Sequence, residues 1–151
     1  NRRCIMRMLD DEVARAQRSK APCAVALIDL DWFKRINDSH GHPIGDEVLR
    51  TFAITVFANI RGIDRFGRYG GEEFLLIMPE TSSTAAASIL DRLRLIVAEL
   101  DWSAFSPGMA VTISAGVAEL SPTETPDALL ARADEALYAA KEAGRNQVAS
   151  A

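Results

Sequence analysis

The sequence holds only two cysteines, Cys4 and Cys23, too few for a disulfide framework or a four-cysteine zinc site. That scarcity points to a reducing compartment, the cytoplasm. No apolar run approaches the ~20 residues that a bilayer requires, so no segment reads as membrane-spanning or as touching a membrane. There is no excess of positive charge either: 17 Lys and Arg stand against 21 Asp and Glu, a formal net charge of −4. A pI near 5.2 argues against a general electrostatic grip on nucleic acid. A small anion can still be held by local cations, backbone N–H groups or a metal ion. Internal repeats and low-complexity tracts are missing as well. What is present is 151 residues, 48% of them hydrophobic, which suits one domain with a real core. The chain opens at Asn1 rather than Met and runs on through Arg2 and Arg3, so it reads as a piece excised from a longer protein. A sensor, a dimerisation segment or a membrane anchor would then lie upstream.

Helices and strands alternate along the chain. Ile5, Met8, Leu9, Val13 and Ala16 recur at helical spacing through residues 3–19. "CAVALIDLD" is a continuous apolar run ending in acids, the pattern of a central strand buried on both faces. "WFKRINDSHG" predicts a short helix closed by Gly41. Val48, Leu49, Phe52, Val56 and Ile60 predict an amphipathic helix over 44–61. A hairpin is expected with arms at 64–69 and 73–78. A long helix should follow Pro79, then a strand in "AVTISAGVAEL", a helix in "TPDALLARADEALYAAKEAG" and a short strand near 147–149. The fold class is therefore α/β or α+β, a mixed central sheet flanked by helices.

The chemistry centres on "RYGGEEFLLIMP", where two carboxylates, Glu72 and Glu73, repel each other at a bend bearing Gly70 and Gly71. Asp29 closes the central strand and Asp31 follows. Ligands of open sheets gather beyond the carboxyl ends of strands. If the bend neighbours that strand, three or four carboxylates meet at one rim. Hard oxygen donors suit Mg²⁺ or Mn²⁺, and carboxylate–metal sites serve phosphoryl and nucleotidyl transfer. The glycines would let a phosphate or nucleoside approach the backbone. The plainer reading makes Asp29 a helix cap and "GGEE" an exposed turn; each is ordinary alone, and the combination is not.

"GGEEF" at 70–74, "DLDWFKRINDSHGHPIGDEVL" at 29–49 and "ADEALYAAKEAGRN" at 133–146 resemble the GGDEF family of diguanylate cyclases, over nearly the whole chain. The resemblance implies a fold similar to the palm of nucleotide cyclases, and a nucleotidyltransferase condensing two GTP into cyclic di-GMP. It implies Asp29, Glu72 and the backbone carbonyl of Leu30 as Mg²⁺ or Mn²⁺ ligands. Glu73 would assist the metal or deprotonate the attacking 3′-hydroxyl. Asn37 and Asp46 would read guanine, and residue chemistry agrees, since Asp46 can accept from N1–H and N2–H₂. Lys34, with the backbone near Phe33, would hold phosphates, and Lys141 and Arg145 the terminal phosphates. Without the resemblance, Asp46 complements a helix dipole and the two cations sit at a helix C-terminus. His42 is similar to the family's "GH" histidine and is expected to be a hydrogen-bonded structural residue.

"RGID" at 61–64 stands at the offset of the family's RxxD product-inhibition site, with Arg92 as a second arginine. Arg61 would grip guanine and phosphate and Asp64 accept from the N1/N2 edge; a surface Arg–Asp pair is the plainer account. The mechanism implied is a dimer of half-sites, one GTP per domain, controlled by upstream signal-transduction domains. Other classes stay open: a catalytically retired receptor for GTP or cyclic di-GMP, or a cyclase for another nucleotide. A polymerase is remote for a small acidic chain. Pro43 and Trp32 depart from the family's usual residues, and Glu72 stands where it usually has Asp.

Overall fold

The computed structural model describes all residues, 1–151. Five helices, α1 (Arg2–Ser19), α2 (Phe33–His40), α3 (His42–Phe57), α4 (Ser83–Glu99) and α5 (Pro126–Glu142), surround five strands. The strands are β1 (Cys23–Leu30), β2 (Arg65–Arg68), β3 (Glu73–Pro79), β4 (Ile113–Glu119) and β5 (Val148–Ser150), in the order β2-β3-β1-β4-β5. β1 is antiparallel to both β3 and β4, and only β4–β5 is parallel, so the sheet is mixed and the class is α+β.

β1 is central, and all eight of its residues are buried. Alternation divides them between two cores. Ala24, Ala26, Ile28 and Leu30 face α2, α3 and α4 with Phe52, Phe74 and Leu76. Cys23, Val25 and Leu27 face α1 and α5 with Leu75, Ile77 and Leu137. A strand covered on both sides has to be apolar at every position, which is why the run "CAVALI" carries no alternation of its own.

Most sequence-predicted elements stand within a few residues of their bounds. The long helix after Gly41 differs most, since α3 ends at Phe57 rather than at residue 61. The Asn59 N–H bonds the Val56 carbonyl oxygen at 2.9 Å just past the helix end, and the next turn is closed by Asp64, whose carboxylate accepts from the Arg61 backbone N–H at 2.8 Å. Gly116 in β4 permits the close approach of α5: a Cβ there would lie 2.2 Å from both the Ala133 carbonyl oxygen and the Leu137 nitrogen.

Candidate active site at the end of the central strand

The register of β1 on β3 sets Asp29 directly opposite Glu73. Cross-strand partners project to the same face, so both carboxylates stand on the α1/α5 side of the sheet. The Leu30 N–H bonds the Glu72 carbonyl oxygen at 3.4 Å, which brings the backbone of the glycine bend against the last residue of β1. On that same face, α5 extends Lys141 so that its Nζ donates to Asp29 Oδ2. Arg68 fastens the bend by donating from Nε to the carbonyl oxygens of Gly70 (3.3 Å) and Gly71 (2.8 Å).

The electrostatics at this corner are under-compensated. Burial pushes the Asp29 carboxyl up to about 6; Lys141 pulls it back, while the charges of Glu72 and Glu73 add to the rise. Burial likewise raises Glu73, against the pull of Lys141 and helped by Asp134 and Glu72. Asp29 Oδ1 is buried and accepts no hydrogen bond. A buried carboxylate oxygen without a donor lacks the compensation that such groups ordinarily have.

The expected meeting of three or four carboxylates is realised only in part. Asp29 and Glu73 face each other with Glu72 beside them, yet no three His, Cys, Asp or Glu side chains are gathered closely enough to hold a metal ion alone. Asp31 is engaged elsewhere: it is buried and accepts from Thr112 Oγ1 (2.7 Å), Ser114 Oγ (2.6 Å) and the Asn146 N–H (2.9 Å). Its work is to tie the end of β1 to β4 and to the turn after α5. Lys141, assigned by resemblance to terminal phosphates, stands on Asp29. Arg145 stacks on Trp32, 3.9 Å from the ring centroid.

Asn37 is brought against the start of α3, one residue from Asp46, across the α2–α3 packing. The Asn37 Oδ1 atom rests against Gly45, where a Cβ would come within 1.8 Å of it, and Gly45 precedes Asp46 in the chain. That oxygen is also buried without a partner. Sequence reasoning missed Gly45, although a glycine inside a predicted helix was the available signal, being unfavourable there by about 1 kcal/mol. Asp46 is exposed and, with Leu49, Arg50, Ala53, Arg68 and Phe74, lines a cavity of about 430 Å³ next to the bend. Lys34 is exposed in the first turn of α2, and the Phe33 ring is in the core. Gly70 and Gly71 both lack positive φ, and a Cβ on either would meet nothing nearer than 3.9 Å. The fold itself does not demand glycine at the bend. His42 is exposed and has no side-chain hydrogen bond, against expectation, because it sits in the open first turn of α3.

The Arg61–Asp64 corner is built more tightly than a surface pair. Arg61 Nη2 and Nε donate to the two Asp64 oxygens at 2.8 and 3.2 Å, and Nη2 reaches Thr81 Oγ1 at 2.6 Å. The Asp64 side chain is 1% exposed and the Arg61 side chain 44%. The expectation that Asp64 reads a ligand edge meets a carboxylate already filled by Arg61. Arg92 donates from α4 to the Asn59 carbonyl oxygen at 2.9 Å, two residues before Arg61 in the chain.

The family model for the diguanylate cyclase GGDEF domain matches residues 1–147. Response regulator PleD of Caulobacter vibrioides is 48% identical over 151 residues, which cover 98% of this chain and 33% of that protein. The chain thus spans about a third of the length of this curated relative. The crystal structure of the GGDEF domain of DgcB from Caulobacter crescentus in complex with cyclic di-GMP superposes with a TM-score of 0.94 at 35% identity, covering 99% of this chain and 90% of that one. The active GGEEF domain of a diguanylate cyclase from Vibrio cholerae superposes at 0.93 and 35% identity, covering 99% and 96%.

Proposed function

The chain belongs to the diguanylate cyclase GGDEF domain family, and from that premise we propose that it condenses two GTP into cyclic di-GMP with release of pyrophosphate. One observation carries the reading. The buried side-chain oxygens without a hydrogen-bond partner are Asp29 Oδ1 and Asn37 Oδ1, one at the end of β1 and one beside Asp46. Orphaned buried acceptors ask for a partner from outside the chain. A cation supplies it at Asp29, and a purine N–H supplies it at Asn37.

The residues fit a divalent cation. Asp29 has a free oxygen in a buried setting where an ammonium already stands, with Glu72 and Glu73 adjoining. Mg²⁺ is usually held by one or two carboxylates together with substrate phosphates rather than by an all-protein cage, so the open arrangement suits it. Asp29, Glu72 and the Leu30 carbonyl would hold the ion. Bound there, it would neutralise phosphate charge and stabilise the departing pyrophosphate. Asp46 and Asn37 orient guanine, the glycine bend leaves room for the nucleotide, and Lys34 draws the phosphates toward α2. Glu73 takes the proton from the 3′-hydroxyl; its raised pKa moves it toward the range where a carboxylate base works well. Each domain presents one such set, and the product needs two phosphodiester bonds, so two domains work face to face as half-sites.

Glu73→Gln is expected to lower pyrophosphate release from GTP and Mg²⁺ by about 10²–10⁴-fold. Rates equal to wild type would reject the assignment.

We also propose a control site for the product at the exposed edge of Arg61 with Arg92. The DgcB domain bound to cyclic di-GMP supports a ligand of this class. Asp64 acts there by fixing Arg61, because both of its oxygens are engaged. Product inhibition should weaken by about tenfold or more in Arg61→Ala, as for the loss of an anchoring arginine. Initial rates at rising cyclic di-GMP measure this, and unchanged inhibition would remove the site.

A further inference from the structure

We infer that Trp32 is a positioning residue whose indole holds Arg35 and Arg145 as a two-armed cationic fork for the triphosphate end of the nucleotide. The inference rests on the GTP reading above. Trp32 sits at the turn between β1 and α2 with φ 58° and ψ 29°, a left-handed conformation that is strained for a bulky residue. It is 47% exposed and belongs to neither core, so packing does not account for it.

Its partners are cations. The Arg35 Cζ lies 3.7 Å from the ring centroid and the Arg145 Cζ 3.9 Å. Two guanidiniums cannot occupy one face at those heights, so each takes a face. Neither is in an ion pair, and neither guanidinium donates a hydrogen bond within the chain. Two like charges this close repel each other, and the negative faces of the ring offset the repulsion. Stacking leaves the N–H edges of both groups free for an anion.

The fork is also held in place. The Arg145 N–H donates to the Ala140 carbonyl at 3.0 Å, and the next residue's N–H donates to the Asp31 carboxylate at 2.9 Å. Arg145 and Asn146 both keep positive φ, 63° and 47°, under these restraints. The indole then fixes the side chain on a backbone that is already fixed. Arg145 follows Lys141, the partner of Asp29, by four residues, and Lys34 adjoins on α2. Two cations without an acidic partner therefore stand together at the turn after β1, on the side where the nucleotide reading puts the phosphates. Arg35 has no part in that reading, and the stacking gives it one.

The test is calorimetric titration of GTP and of GMP with Mg²⁺ into the wild type, Trp32→Leu, Trp32→Phe, Arg145→Ala and the Trp32→Leu/Arg145→Ala double variant, with steady-state kinetics alongside. Trp32→Leu should weaken GTP by about tenfold, chiefly through KM rather than kcat, while GMP changes by less than about twofold. Trp32→Phe should restore most of the loss, and Trp32→Leu should have a smaller effect once Arg145 is gone. Should Trp32→Leu fail to fold, Arg35→Gln serves: a loss of about threefold for GTP with GMP unaffected is expected. Equal losses for GTP and GMP, a Phe variant no better than Leu, additive effects in the double variant, or an Arg35→Gln without effect would overturn the fork and leave the GTP reading standing. A wild type that binds no GTP would overturn both.

Discussion

Asp29→Asn is expected to abolish cyclic di-GMP synthesis and, at neutral pH without metal, to make the protein more stable. Both follow from one geometry. The carboxylate is nearly buried, its Oδ1 is without a donor, and its pKa is raised from 3.8 to about 6 by burial, with Lys141 opposing and Glu72 and Glu73 adding. A raised carboxyl binds its proton more tightly in the folded state than in the unfolded one. Its contribution to stability is therefore full below about 3.8 and lost as pH rises through about 6. At pH 7 the ionised group works against the fold. Removing the charge should return about 1–2 kcal/mol, discounted for solvent screening at the rim of the sheet. Lys141, whose side chain is 29% exposed, can turn to water when its partner is lost. Thermal melts in chelator should thus show the Asp29→Asn variant above wild type at pH 7, with the gap closing toward pH 4. Activity should fall by more than about 10²-fold, the scale of removing one electrostatic contact to a transferring phosphate. A variant that is both less stable at pH 7 and active would refute this account of Asp29.

Gly116→Ala should be the most damaging single-methyl change in the molecule. The new Cβ would meet the Ala133 carbonyl oxygen and Leu137 nitrogen at 2.2 Å and the Leu137 Cα at 2.8 Å, all backbone atoms of α5. A backbone cannot rotate away as a side-chain end can, so α5 has to lift off β4. Overpacking of this kind should lower stability by about 3 kcal/mol, or roughly 10 °C in Tm for a domain of this size. The displaced helix carries Lys141 and leads into Arg145, so GTP turnover should fall with it. A melting temperature within about 2 °C of wild type would mean that α5 does not approach β4 as closely as described.

These two residues illustrate how far the sequence could be read. Asp29 was visible because a run of buried residues ending in an acid is unusual, and the register on β3 then placed it against the glycine bend. Gly116 was not visible: "SAGVA" is ordinary strand sequence, and the demand for glycine comes from a helix about twenty residues later. The same distance hid the role of Asp31, whose donors Thr112, Ser114 and Asn146 lie 81 to 115 residues away. Lys141 could be named as a phosphate cation from the resemblance, but its pairing with Asp29 across 112 residues had no local signal. The end of α3 was misplaced for a related reason. Ile60 continues the apolar spacing, while α3 stops at Phe57, where the Asn59 side chain donates to the Thr55 carbonyl oxygen at 2.7 Å and Asp64 then closes onto the Arg61 N–H. Periodicity reports which face is buried, whereas polar closures between distant segments leave no periodic trace.

The measurement that reaches the central claim most directly is a crystal structure of the domain with Mn²⁺ and a non-hydrolysable GTP analogue. The ion should coordinate Asp29 Oδ1 at roughly 2.0–2.2 Å, with the triphosphate over the Gly70–Gly71 bend and guanine against Asn37 and Asp46. Nucleotide density elsewhere on the molecule, with Asp29 still closed on Lys141, would contradict it.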